Sequence, residues 1–187
     1  MLLWLGRDPI IANATNTLAL CPGALAAMAA FRHDLAPIRR WMLLLVPPSL
    51  AGGLIGALLL LRTPERVFEA LVPWLILFAT VLFAAQGTII TGMRRLRRQA
   101  VDQPARVGPR AEVWPYVVAF EFAVAIYGGY FGAGIGIMTL AALGLVGFTD
   151  IHHMVGLRNF AALCINGIAS VYFVSQGAVV WPDALVM

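Results

Sequence analysis

The sequence predicts an all-α fold, a polytopic bundle of transmembrane helices containing two similar repeats. Three observations carry that prediction. Hydrophobic residues make up 61% of the 187 and charged residues 12%, with a mean hydropathy of +0.86. An ordinary soluble domain has roughly 45–50% apolar and about 25% charged residues. A folded chain of this size still exposes about a third of its unfolded surface, so a soluble monomer, a disordered segment and a disulfide scaffold are excluded. Long uncharged stretches recur along the chain, and a short polar pattern at Asn16–Cys21 returns at Asn159–Cys164.

The stretches run Pro9–Phe31, Trp41–Leu61, Ala70–Met93, Phe122–Thr149 and Asn159–Pro182. Each exceeds the roughly 20 helical residues needed to cross the ~30 Å hydrocarbon layer. Lipid offers the backbone no hydrogen bonds, so helices are the natural spanning structure. The period-2 alternation of a membrane barrel is absent. Pro22, Pro47, Pro48 and Pro73 interrupt hydrogen-bond ladders and are expected to kink or end helices.

Val113–Phe148 is too long for one crossing, since 36 helical residues extend roughly 54 Å. Its centre, Gly128-Gly129-Tyr130-Phe131-Gly132-Ala133-Gly134-Ile135-Gly136, is rich in the residue that most weakens helix after proline. The expectation is two segments, near 113–129 and 133–148, meeting at the glycines; a single helix with a broken middle is the alternative.

Orientation follows from arginine. All thirteen basic residues are Arg, and the formal net charge is +4. Connector 32–40 holds Arg32, Arg39 and Arg40, and connector 94–112 holds Arg94, Arg95, Arg97, Arg98, Arg106 and Arg110. Between them, connector 62–69 balances Arg62 and Arg66 with Glu65 and Glu69. The positive-inside rule makes loops 32–40 and 94–112 cytoplasmic. The same clustering argues against nucleic acid as the reason for a pI near 9.7. The start, Met1–Arg7, lacks the charge order and small-residue cleavage site of a signal peptide.

The repeat aligns Asn16, Ala19, Leu20 and Cys21 with Asn159, Ala162, Leu163 and Cys164. It divides the chain into 1–112, a first repeat with the Arg-rich loop, and 113–187, a second. Both are expected to be incomplete: the glycine segment has no counterpart before Met1, and spans 41–61 and 70–93 have none after Met187. If 113–148 crosses twice, the copies are inverted, a common plan of secondary transporters; if once, they are parallel. The length argument favours inversion.

A few polar residues break the apolar runs. Arg158 follows Asp150-Ile-His152-His153 and offers either a planar fork for an oxyanion or a side chain that snorkels to headgroups. Asn16 and Asn159 each begin an apolar helical run, and an amide in hydrocarbon is costly unless bonded. They line a substrate site at equivalent depth or fasten neighbouring helices, with Asn13, Thr15 and Asn166 as companions. Gly132, Gly134 and Gly136 precede an apolar helix. They present free N–H groups to an anion at its positive end or permit close packing. A nucleotide loop is excluded, because no Lys follows. Glu121 sits in an uncharged run and by default suggests proton coupling, with a vestibule or a subunit contact as alternatives. His152 and His153, about 100° apart on a helix, make a poor chelating pair and fit the interface. Cys21 and Cys164 fit core packing better than a redox pair. No metal or other cofactor is indicated.

These residues resemble the sulfite exporter TauE/SafE family of membrane anion transporters. The likeness rests on Gly132-Ala-Gly-Ile-Gly136, on Leu157-Arg-Asn-Phe-Ala-Ala-Leu-Cys-Ile-Asn166 with the turn Gly177-Ala-Val-Val-Trp181, and on Ala12-Asn-Ala-Thr-Asn16 with Phe31-Arg32. It covers nearly the whole chain. Ile135 replaces the middle glycine of the family's glycine run, and Ala141 stands at its proline position. The resemblance implies export of small anions such as sulfite, sulfoacetate or related sulfonates, two oppositely oriented halves, and a homodimer in the cell's inner membrane. A structural or assembly subunit is the main alternative, and an intramembrane thiol enzyme a weaker one.

Overall fold

The computed structural model describes residues 8–30, 38–99, 114–146, 148 and 150–186, with the backbone alone at 86–99, 145–146 and 185–186. Phe31, Arg32, Arg106, Arg110 and the Met1–Arg7 start lie outside the described residues. In order, the helices are α1 (Pro9–Ala30), α2 (Arg39–Arg62), α3 (Glu65–Gln99), α4 (Trp114–Tyr130), α5 (Ile135–Val146), α6 (Ile151–Ser175) and α7 (Trp181–Val186). Among the described residues all regular structure is helical. α1, α2, the Glu65–Ala85 part of α3 and α6 are each long and apolar enough to cross a membrane.

Two boundaries differ from the sequence expectation. α3 does not stop at Met93 but continues to Gln99, so Arg94, Arg95, Arg97 and Arg98 lie on helix rather than in a loop. Arginine is a good helix former, and a charge ends the lipid-embedded part of a helix without ending the helix. The last long helix begins at Ile151, not Asn159, because Asp150 caps it. Its carboxylate accepts from the N–H of His152 at 2.8 Å and of His153 at 3.4 Å. Arg158 is thereby carried inside α6 instead of bordering it.

Partial burial pushes the Asp150 carboxyl up, but the His152 N–H and the two histidine rings outweigh this and hold it below the ordinary carboxylate range. A lowered carboxyl stabilises above its unfolded value, ~4, and loses that contribution as pH falls through the folded one. Asp150→Ala should therefore cost about 1 kcal/mol of unfolding stability at pH 7. Melts in detergent should show the gap between variant and parent closing below roughly pH 4.

The chain goes back and forth between two apolar ends. At one, Met28, Ile38, Trp41, Leu45, Val117, Leu143 and Met154 meet. At the other are Ile10, Leu60, Phe68, Tyr130, Phe131, Phe173 and Ala178. α1 and α6, which carry the two copies of the polar pattern, therefore run antiparallel. α4 and α5 form a hairpin: Val117 and Leu143 share the first end, and Gly128 faces Ile135 near the bend. At 1.5 Å per residue they are roughly 25 and 18 Å long, each shorter than the hydrocarbon layer. The expectation of two segments meeting at the glycines is met.

The hairpin is locked onto α2. A Cβ at Gly52 would stand 2.6 Å from the Ala125 side chain, and one at Gly56 would collide with the Ile126 carbonyl. Missing side chains at Gly52 and Gly56 on α2 and at Gly129 on α4 bring these two backbones into direct contact, while a Cβ at Gly53 would meet Ile165 and Ile168 of α6. Such close approach is the association mode favoured where lipid supplies no hydrophobic drive between helices. α3 is the contrast. Its covered positions Phe68, Val72, Leu75, Ala79 and Leu82 form one stripe, while Trp74 is 71% and Phe83 65% exposed.

Candidate functional site

The break between α4 and α5 is built from residues that can turn. Gly132 and Gly134 adopt φ of +84° and +85°, a region costly for any residue with a Cβ. α5 then opens with Ile137 and Met138 donating to the Gly134 carbonyl. The N–H groups of Gly134, Ile135 and Gly136 find no acceptor among the described residues. They form the positive end of the helix dipole.

Arg158 lies across this turn. A Cβ at Gly136 would stand 3.1 Å from its Nε and 3.2 Å from its Cζ, so the absent side chain is what admits the guanidinium. No carboxylate or carbonyl among the described residues pairs with it. Arg158 lies roughly 10 Å along the ~37 Å axis of α6, and Ile165, which packs with Ile135, roughly 21 Å along it. The half-length helix therefore starts near the middle of the bundle. Two sources of positive charge converge there, in a setting where an uncompensated cation is expensive.

Asn13 and Thr15 hold the surrounding chain. Asn13 Nδ2 donates to the Tyr130 carbonyl at 3.1 Å, tying the last residue of α4 to α1. Thr15, fully buried, accepts from the Val180 N–H at 3.2 Å and so fixes the turn before α7, where Gly177 has φ of +68°. The turn at Gly177–Trp181 read from the sequence is present. Both side chains are engaged by backbone groups at the two chain reversals.

Asn16 and Asn159 are not brought together. Cys21 on α1 touches Ser170 on α6, Sγ to Oγ at 3.3 Å. From that level Asn16 lies five residues toward one end of the bundle and Asn159 eleven toward the other. Their separation is roughly 24 Å along the axes. Each stands about 10–12 Å from the start of its own helix, and that is the sense in which the two copies correspond. Asn159 keeps company with Arg158; Asn166 is two turns further on. The amides of Asn16, Asn159 and Asn166 are half-buried and bond to none of the described residues.

Of the three glycines, Gly136 meets Arg158, Gly134 lies beside Ala79 and Leu82 of α3, and Gly132 makes the turn. Glu121 is 2% exposed and accepts from Ser49 Oγ at 3.2 Å. It lies in the contact between α2 and α4. Ser49 escaped the sequence reading, since a lone serine after two prolines carries no periodic signal. Cys21 and Cys164 are free thiols, and Cys164 lies six residues from the Ser170 that Cys21 touches. His152 and His153 sit at the cap of α6, with His153 Nδ1 3.8 Å from Asp150 Oδ2. Among the described residues no three His, Cys, Asp or Glu side chains gather as metal ligands. Among the described residues, the buried hydroxyls of Tyr127 and Thr139 find no hydrogen-bond partner.

A bundle with four helices long and apolar enough to cross a membrane, and a shorter one opening beside an arginine that has no partner among the described residues, is the architecture of a polytopic membrane protein. The chain matches the sulfite exporter TauE/SafE family over residues 1–187, its whole length, and belongs to it. A search of curated proteins and one of solved structures gave no match.

Proposed function

We propose that the protein is a secondary transporter of small oxyanions, sulfite and organosulfonates such as sulfoacetate, bound at the start of α5. One observation carries this reading: the Arg158 guanidinium, without a partner among the described residues, rests on the N–H turn at Gly136, likewise without acceptors among them, near mid-bundle. A planar cation beside helix N–H donors matches the distributed charge of a sulfonyl or sulfite group. Asn159, adjacent on α6, and Gly134 complete the near surroundings, with Gly132, Asn13 and Thr15 keeping the loop in place and Asn16 and Asn166 outside it. The antiparallel course of α1 and α6 supports inverted halves. The protein resides in the plasma membrane, with Arg39, Arg40 and the arginine-rich end of α3 cytoplasmic, and the open apolar faces of α3 serve lipid and a second copy.

Glu121 is the coupling carboxyl in this reading, since its partner Ser49 is a neutral hydroxyl through which a proton can be gained or lost without breaking an ion pair. The test is sulfite flux in proteoliposomes under an imposed pH gradient. Flux driven by the gradient is expected, and Glu121→Gln should retain downhill sulfite movement while losing the response to the gradient. Absence of flux for sulfite, sulfoacetate and methanesulfonate alike would sink the assignment.

A further inference from the structure

We propose that Thr139 is a ligand-contacting residue, its hydroxyl donating to an oxyanion held between Arg158 and the first turn of α5. The inference rests on the anion site described above and adds to it a neutral donor.

Thr139 is 1% exposed, and its Oγ1 has no partner among the described residues. That is unusual here, because helical hydroxyls in hydrocarbon normally bond back to a carbonyl one turn earlier. Two other helical threonines behave so: Thr17 bonds the Asn13 carbonyl at 2.9 Å and Thr80 the Ile76 carbonyl at 2.8 Å. Thr139 has the Ile135 carbonyl at the same spacing and does not use it. Leaving a buried hydroxyl unsatisfied costs about 1–3 kcal/mol, so such groups in a folded protein call for a partner.

Its position names the partner. Thr139 is one turn past Gly136, and at about 100° per residue it lies about 60° round α5 from Gly136 and about 40° from Ile135. Gly136 faces Arg158 and Ile135 faces Ile165, so Thr139 points toward the α6 segment between those two residues. Side chains on a helix lean toward its N-terminus, which sets the hydroxyl over the turn whose N–H groups are unpaired. An anion on that turn would take up an orphaned backbone end, an unpaired guanidinium and an unpaired hydroxyl together. Tyr127, whose hydroxyl is also unpartnered, packs its ring on Phe78 and Phe131, toward α3, and does not belong to this face.

The test is sulfite binding to the purified full chain in detergent, with Thr139→Val, which keeps the shape, Thr139→Ser, which keeps the hydroxyl, and Arg158→Ala as reference. The expected result is a Kd raised about tenfold in Thr139→Val and within about threefold of the parent in Thr139→Ser. The sulfite-free melting temperature of Thr139→Val should be equal or higher, since an unsatisfied hydroxyl is removed. Unchanged binding in Thr139→Val with weakened binding in Arg158→Ala overturns the role of Thr139 alone. Unchanged binding in both removes the anion site itself. Equal loss in the valine and serine variants assigns Thr139 to packing and overturns the proposal as well.

Discussion

Arg158→Ala should lower the apparent affinity for sulfite by roughly 100-fold, about 3 kcal/mol, while leaving the unliganded protein as stable as its parent or more so. The two halves of that expectation have separate causes. A guanidinium that meets an oxyanion through charge-assisted bonds contributes about 1.5–3 kcal/mol per bond. Before the anion arrives, the same group is a half-buried cation with no carboxylate beside it among the described residues, and removing it relieves desolvation. A structural arginine would give the opposite pattern, with stability lost and affinity secondary. Arg158→Lys keeps the charge but not the planar fork, so it should recover only part of the affinity. Titration of sulfite against each variant, alongside thermal unfolding in the same detergent, separates the cases. A destabilised Arg158→Ala with parental affinity would return Arg158 to a scaffolding or headgroup-facing role.

The second large effect lies away from the site. Gly56→Ala should destabilise the protein by about 2–3 kcal/mol and reduce flux in the surviving population. The new Cβ would meet the Ile126 carbonyl and come 2.7 Å from the Tyr130 nitrogen. Both are backbone atoms that cannot swing aside, so α2 and α4 must part. Tyr130 ends α4 immediately before the break, so the displacement is passed to the Gly132–Gly136 turn and to the Arg158 contact. Gly167→Ala is the control. Nothing lies within 4 Å of its added Cβ, and replacing an interior helical glycine should gain up to about 1 kcal/mol. Equal melting temperatures for Gly56→Ala and the parent would mean that the α2–α4 contact is not the rigid joint described.

Much of the fold is legible in the chain because hydrocarbon imposes few solutions. Long uncharged stretches had to be helices, and the surplus length of 113–148 with its glycines had to break. Helix ends were less legible: α3 runs on through Arg94–Arg98 because hydropathy reports where lipid stops rather than where hydrogen bonding stops. The start of α6 depends on a single capping carboxylate, Asp150. The site divides similarly. Arg158 and the glycine turn stood out as anomalies in apolar sequence, but their contact joins α5 to α6 through packing that no periodicity encodes. Asn13 and Thr15 looked like site residues because a polar group in lipid needs a partner; the partners proved to be backbone atoms 117 and 165 positions away. The sequence pattern that paired Asn16 with Asn159 falls at similar distances from the starts of two helices that run antiparallel, which is why the two side chains stand apart.

Asn13 and Thr15 are two residues apart, which on a helix turns their side chains about 200° from one another. α1 is thus gripped from opposite flanks, by the end of α4 on one and the approach to α7 on the other. It acts as a gauge block whose diameter sets the spacing of those two bends. Rolling α1 about its own axis would slacken one tether as it tightens its opposite, so the two bends cannot be moved independently while both tethers hold.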